Sequence, residues 1–174
     1  LAILAFSRPY IMDRLTSFLD PAADPRGKSY QINQSLIAIG SGGIPGRGFG
    51  QSIQKFEHLP EPISDSIFAV YSEEFGFIGS VILVLAFSFF AFRGYKIATE
   101  SPDLFGMLIV VGFVTLIISQ AFLNIAAMLA LVPLSGLPLP FASHGGTALL
   151  TTLASVGIIL NVSKYRKKRA SVLK

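Results

Sequence analysis

The chain has 174 residues, 52% of them hydrophobic and 14% charged, with a formal net charge of +4 and no cysteine. A soluble domain carries about 25% charged residues, so this composition, with a mean hydropathy of +0.63, excludes an ordinary soluble globule. It points instead to an all-α polytopic membrane helical bundle. Without cysteine there is neither a disulfide framework nor a thiolate metal site.

Residues 1–6, LAILAF, carry no initiator Met and no basic n-region, which does not suit a signal peptide. They are expected to be the outer end of a transmembrane helix, and the chain the C-terminal part of a larger protein. Residues 7–66 form a long loop whose six basic and six acidic side chains cancel. Within it, the spacing of Ile32, Leu36, Ile37 and Ile39 predicts an amphipathic helix over residues 29–40. That is too short to span a bilayer and is expected at the outer surface or re-entering it. Its Gln31, Asn33 and Gln34 either bond to a partner element or face water.

Three apolar segments are long enough to span: residues 67–92, 104–131 and 147–163. They are separated by a short loop, 93–103, and a second loop, 132–146. The tail, 164–174, has six basic residues and no acidic one. Because it directly follows an apolar span, it reads as a cytoplasmic stop signal rather than a nucleic-acid site. No nucleic-acid partner is expected. Counting back, loop 93–103 is cytoplasmic, and loops 132–146 and 7–66 are extracytoplasmic.

Ionisable groups beside hydrocarbon usually belong to a site, and Asp65 stands at the start of the first long span. Pro62 precedes it, and Ser64 or Asp65 is placed to cap the helix. A cap and a catalytic base are both open for Asp65, and the two are compatible. Glu73 and Glu74 follow in the same helix, rotated by about 80° and about 180° from Asp65. Local spacing therefore does not support a carboxylate pair of the glycosidase kind, and pairing within the bundle is the better reading. The glycine run GSGGIPGRGFG, residues 40–50, lacks the Gly-Lys-Ser/Thr ending of a phosphate loop. It is either a turn-rich connector or, with Arg47, a nest of amides for a lipid-linked pyrophosphate. Lys55 is placed to pair with a phosphate or with Glu61. His58, with no Cys and no histidine near it, is a weak metal signal. Gln120 and Asn124 share a face in mid-span and either bond to a neighbouring element or line a polar cavity. Residues 135–146, SGLPLPFASHGG, read as a tight structured return to the membrane.

Together, SFLDPAADPRGKSYQINQSLIAIGSGGIPGRGFG, LPEPISDSIFAVYSEEFGFIG and LPLPFASHGGTALL resemble the SEDS family of membrane glycosyltransferases, FtsW, RodA and SpoVE, and are nearer its division-type branch. The resemblance covers nearly the whole chain, as the C-terminal half of a ten-span protein. It implies a peptidoglycan polymerase of the bacterial cytoplasmic membrane that joins lipid II units and releases undecaprenyl pyrophosphate. Asp65, in SDSIFA, matches the family's essential aspartate in TDFIFA. The chain departs from the family at Ser64-Asp65-Ser66 (usually Thr-Asp-Phe), at Ser143-His144-Gly145-Gly146 (usually SYGG) and at Ala126 after Asn124-Ile125 (usually NIG).

On this reading Asp65 is the general base. Arg47 and Lys55 are candidate cations for the pyrophosphate, and Glu61, Ser143, Gly145 and Gly146 are further candidate substrate-binding residues. A divalent cation, Mg or Mn, is an expected companion of the pyrophosphate, although the chain offers no obvious cage. Expected partners are a class B penicillin-binding protein and other membrane proteins of the divisome or elongasome. Two rival classes are a lipid II flippase, which suits Gln120 and Asn124, and a non-catalytic divisome scaffold.

Overall fold

The computed structural model describes residues 28–54 and 64–165. Residues 1–6, Lys55, His58, Glu61 and the tail past Tyr165 lie outside the described residues. Among those described there are helices and no strand: α1 (Lys28–Ser41), α2 (Ile67–Thr99), α3 (Leu104–Met128) and α4 (Gly146–Lys164). The last three are 33, 25 and 19 residues long and apolar enough to cross a membrane. The architecture is a membrane helical bundle in which α2 packs on α1 and α3, and α3 on α4.

The apolar interior follows from which faces of the long helices meet. Val110, Val114, Ile117 and Ala121 lie along one side of α3 and are buried. Gly94 lets α2 approach there, since a β-carbon at Gly94 would run into the Val114 side chain. The outward faces carry large apolar side chains such as Ile82, Leu85 and Phe89, each more than half exposed, as contact with lipid requires.

The first span continues past its expected end at 92, through Arg93 and Lys96 to Thr99. A cation in the last turn suits the helix dipole, and the connection shrinks to residues 100–103. Asp103 then caps α3, accepting from Gly106 N at 2.8 Å. α3 stops at Met128 rather than 131, and Ala130 beyond it adopts φ 55, a left-handed conformation that ends a helix.

The feature with most consequence is a break inside α2. Gly76 has φ 66 and ψ −163, a region open essentially to glycine alone. In an unbroken helix Phe77 N would donate to Glu73 O, and Ile78 N to Glu74 O. Here a segment of the glycine run lies in the gap and bonds to all four groups. Arg47 N and Gly48 N donate to Glu73 O and Glu74 O, each at 3.0 Å. Gly43 O and Ile44 O accept from Phe77 N and Ile78 N at 2.9 and 3.3 Å. The approach is so close that a β-carbon at Gly46 would strike Glu74 O, and one at Gly76 would strike Gly46 N. The glycine run is therefore a connector that completes the backbone of a broken transmembrane helix.

The break also has a side-chain brace. Ser80 Oγ donates to Gly76 O or to Ser72 Oγ, each 2.9 Å away. Gly76→Ala should lower stability by about 2 kcal/mol or more, from the forbidden backbone conformation and the collision with the loop. Gly112→Ala has open space around the new methyl and should be neutral or slightly stabilising. Thermal unfolding of the two variants in one detergent checks the contrast.

Candidate active site

Asp65 lies in the turn just before α2 and is half-buried. The helix is capped at Ser66, with no side-chain cap hydrogen bond. The cap reading of Ser64 and Asp65 is thus corrected. The turn over residues 64–66 shifts the helix start beyond Asp65 and turns its carboxylate to α1. Gln31 Nε2 donates to Asp65 Oδ1 at 3.2 Å and to Ser66 Oγ at 3.0 Å. Ser66 Oγ itself lies 3.5 Å from the same oxygen. Asp65 Oδ2 accepts no hydrogen bond from the described residues. Among the described residues, one carboxylate oxygen is held and the other has no donor.

The backbone of Asp65 is fixed from a third element. Asn124 Nδ2, on α3 and 1% exposed, donates to Asp65 O at 2.8 Å and to Leu137 O at 2.7 Å. One turn earlier, Gln120 Nε2 donates to Pro138 O at 2.8 Å. The two amides lie in the last turns of α3 rather than in mid-span, and they bond to neighbouring segments rather than line a cavity. They pin residues 137–138 to α3 and join that loop to the Asp65 turn. Asn124 Oδ1 is buried without a partner among the described residues.

Beyond this clamp, residues 139–145 form a compact turn. Ser143 Oγ accepts from Leu139 N at 2.7 Å, and Ser143 N donates to Leu139 O at 3.0 Å. Gly145 is the N-cap residue and Gly146 opens α4. Phe141, with φ 65, packs between Phe87 and Phe90 of α2. These contacts anchor the start of the last span beside the clamp. Ser143 is 8% exposed, and its hydroxyl oxygen is engaged by the turn itself.

Glu73 is completely buried. Ser52 Oγ donates to its Oε2 at 2.6 Å and Ile53 N to its Oε1 at 3.1 Å, and Arg47 Nη1 stands 3.8 Å from Oε1. Glu74 is also buried, but its carboxylate has no hydrogen-bond partner among the described residues. Neither joins Asp65, in keeping with the rotation read from sequence. Arg47 also donates from Nε to Ser41 O at 3.3 Å. Its charge sits against Glu73, about 12 Å along the helix from Asp65, so the structure does not bring Arg47 and Asp65 together. The amides of Arg47 and Gly48 serve the broken helix, so they do not form an anion nest. Lys55 and Glu61 lie outside the described residues.

Sequence reasoning gave Ser52 no role, and only its place just after the glycine run marks it. Gln31 was readable as an amide on an apolar helix, but its target was not. Among the described residues no three His, Asp or Glu groups converge, and of these residues Asp65 alone brings a carboxylate to the site. These residues therefore do not make a cage for Mg or Mn.

The fold and site define a multi-pass membrane protein with one acidic group presented where three segments meet at one end of the bundle. Residues 1–168 match the FtsW/RodA/SpoVE family, described as cell cycle protein, and the chain belongs to that family. It is 48% identical over 164 residues to stage V sporulation protein E of Bacillus subtilis, covering 94% of this chain and 45% of that protein. It is 44% identical over 167 residues to the probable peptidoglycan glycosyltransferase FtsW of Thioalkalivibrio sulfidiphilus, covering 94% and 42%. A solved structure, described as structural coordination of polymerization and crosslinking by a peptidoglycan synthase complex, superposes with a TM-score of 0.73 at 28% identity, over 96% of this chain and 45% of that one. The chain thus spans less than half the length of these relatives.

Asn124→Leu should remove the donor to the part-buried carbonyls of Asp65 and Leu137, at about 1 kcal/mol for each hydrogen bond. Asn124→Asp keeps the shape but turns acceptors toward carbonyls, and should also destabilise. An Asn124→Asp protein with the wild-type melting temperature contradicts the clamp.

Proposed function

We propose that the whole protein polymerises lipid II into glycan strands at the outer face of the bacterial cytoplasmic membrane and releases undecaprenyl pyrophosphate. The observation that carries this reading is the state of Asp65: a half-buried carboxylate with one oxygen fixed by Gln31 and the other without a donor among the described residues. Family membership supports it, as do relatives named peptidoglycan glycosyltransferases.

In the proposed step, Oδ2 of Asp65 takes the proton from a sugar hydroxyl of the acceptor. That hydroxyl oxygen bonds to the anomeric carbon of the donor from the side opposite the pyrophosphate. The bond from the anomeric carbon to the pyrophosphate oxygen breaks, and its electron pair leaves with the lipid pyrophosphate. A positioned base contributes about 10²–10⁴-fold, and orientation within a closed site contributes further. Gln31 acts on Asp65 by fixing the carboxylate plane. Gly145 and Gly146 place the start of α4, whose first amides are a favourable direction for an anion, close to the clamp. Ser143 shapes that turn. Arg47 keeps part of its surface open and, with Lys55 and Glu61, completes the proposed substrate-binding set. No step is routed through a metal ion.

The rest of the assignment follows the same reading. The basic residues after α4 support a cytoplasmic C-terminus, with Asp65 then outside. The class B penicillin-binding protein is the proposed crosslinking partner, supported by the polymerization and crosslinking complex that this fold resembles. A flippase would need polar groups through the depth of the membrane. The amides of Gln120 and Asn124 are instead bonded to loop carbonyls, which favours the polymerase.

In detergent, where flipping has no meaning, Asp65→Asn in the full-length protein should reduce lipid II polymerisation by about 10²-fold or more. Wild-type turnover by that variant contradicts the proposal. Gln31→Leu should retain the fold and lower kcat about 10-fold, the worth of one hydrogen bond to a charged group, with KM little changed.

A further inference from the structure

We propose that Glu74 is the seat of a cation, a lysine or arginine side chain carried by an apolar segment of the whole protein outside these 174 residues. The catalytic role of Asp65 does not enter the argument.

Burial is the first observation. Glu74 is 7% exposed and lies in a helix apolar enough to cross a membrane. Its carboxylate has neither hydrogen bond nor ion pair among the described residues. Ionisable groups in such helices face the bundle interior or a cavity and pair there, because an unpaired buried charge is expensive. The neighbouring Glu73 shows the usual remedy, with a hydroxyl, an amide and Arg47 around it. The loop that fills the break brings those donors to Glu73 and none to the carboxylate of Glu74.

Shape and chemistry come second. Glu74 lines a cavity of about 270 Å³ between the first turns of α2, Phe49 of the glycine run and Leu139. The rings of Tyr71 and Phe75 lie 4.7 Å apart, and that of Phe49 lies 6.1 Å from Phe75. A carboxylate among aromatic rings suits an ammonium or guanidinium group, whereas a neutral apolar chain gains nothing from the charge. Leu83 and Ala142 join this cavity to a second of about 240 Å³, walled by Phe87 and Phe90. Together they make a groove along α2 from Glu74 to Phe90, about 24 Å at about 1.5 Å per residue. Glu74 is its one charge and stands at its head. A segment that lies in the groove therefore needs an apolar length with one cation near its end.

The source of the cation is the third point. The described lysines and arginines stand elsewhere. Lys28 opens α1, Arg47 is engaged at Glu73, Arg93 and Lys96 lie toward the other end of α2, and Lys164 ends α4. The matches to the two curated relatives cover 45% and 42% of those proteins, so each has more chain outside the matched part than within it. A segment of the same polypeptide meets the groove at the high effective concentration of a tethered partner, which favours it over a free ligand or a separate protein.

Two measurements on the full-length protein test this. Phe49 is 83% exposed, so p-benzoylphenylalanine at that position has room, and its photo-adducts are mapped by mass spectrometry. An adduct on an apolar peptide of the same protein that carries Lys or Arg and lies outside these 174 residues supports the proposal. Adducts only on lipid, on a second protein or within these residues, Lys55 among them, overturn it. Glu74→Gln should lower Tm by about 5 °C or more, as loss of one partner of a buried pair does. Replacing the mapped cation with Met should cost as much, and the double variant should lose no more than either alone. Wild-type Tm for Glu74→Gln, or losses that add, overturn the proposal. Should Glu74→Gln not fold, the photo-adduct decides the matter alone. Neither readout involves turnover, so the outcome is independent of the role of Asp65.

Discussion

A gap in one helix, and the loop that fills it, sets most of this structure. An unpaired backbone group that is buried costs about 1–3 kcal/mol, so a helix cannot simply be broken at Gly76, which is buried. The break persists because residues 43–48 bond to the carbonyls of Glu73 and Glu74 and to the amides of Phe77 and Ile78. The consequence is mutual. The glycine run acquires a fixed conformation from the helix, and the first turns of α2 become a separate unit tied to that run. Asp65 sits at the head of this unit. Gln31 and Asn124 hold the head, and the loop holds the foot.

The two glutamates show how burial is reconciled with charge. Glu73 is removed from solvent but has a hydroxyl, an amide and a guanidinium around it, the kind of satisfaction a buried carboxylate requires. Those donors come from residues 47–53, so the carboxylate reinforces the same loop that mends the backbone. An isolated surface ion pair is worth little. Here the two hydrogen bonds and the buried position give the cluster its value, and Arg47 adds to it. With Glu73 committed to the loop, Asp65 is the carboxylate that the described residues present where α1, α3 and residues 137–138 meet.

Much of the fold was legible in the sequence because transmembrane helices announce themselves by length and apolarity. All three spans could be read that way, and the short helix before them from the spacing of its apolar residues. Their ends shifted where local chemistry, rather than hydropathy, decides. The chain stayed helical through Arg93 and Lys96, and it turned at Ala130. Asp65 was legible as a charge beside hydrocarbon, and the separation of Glu73 and Glu74 from it followed from helical rotation alone. The partners of Asp65 were not legible. Gln31 lies 34 residues away and Asn124 bonds to its backbone from 59 residues away, and no local pattern encodes such contacts. The role of the glycine run was hidden for the same reason. Its φ > 0 positions announce a turn, whereas its hydrogen bonds depend on a break that only Gly76, inside an apolar run, foreshadows.

Residues 43–48 are an integral part of α2's hydrogen bonding, and amide hydrogen exchange on the full-length protein in nanodiscs measures this residue by residue. The amides of Arg47 and Gly48, although in a glycine-rich loop, should exchange as slowly as those of Phe77 and Ile78, and Gly76→Ala should release all of them together. Exchange of Arg47 and Gly48 at the rate of an open loop, with Phe77 and Ile78 still protected, would contradict it.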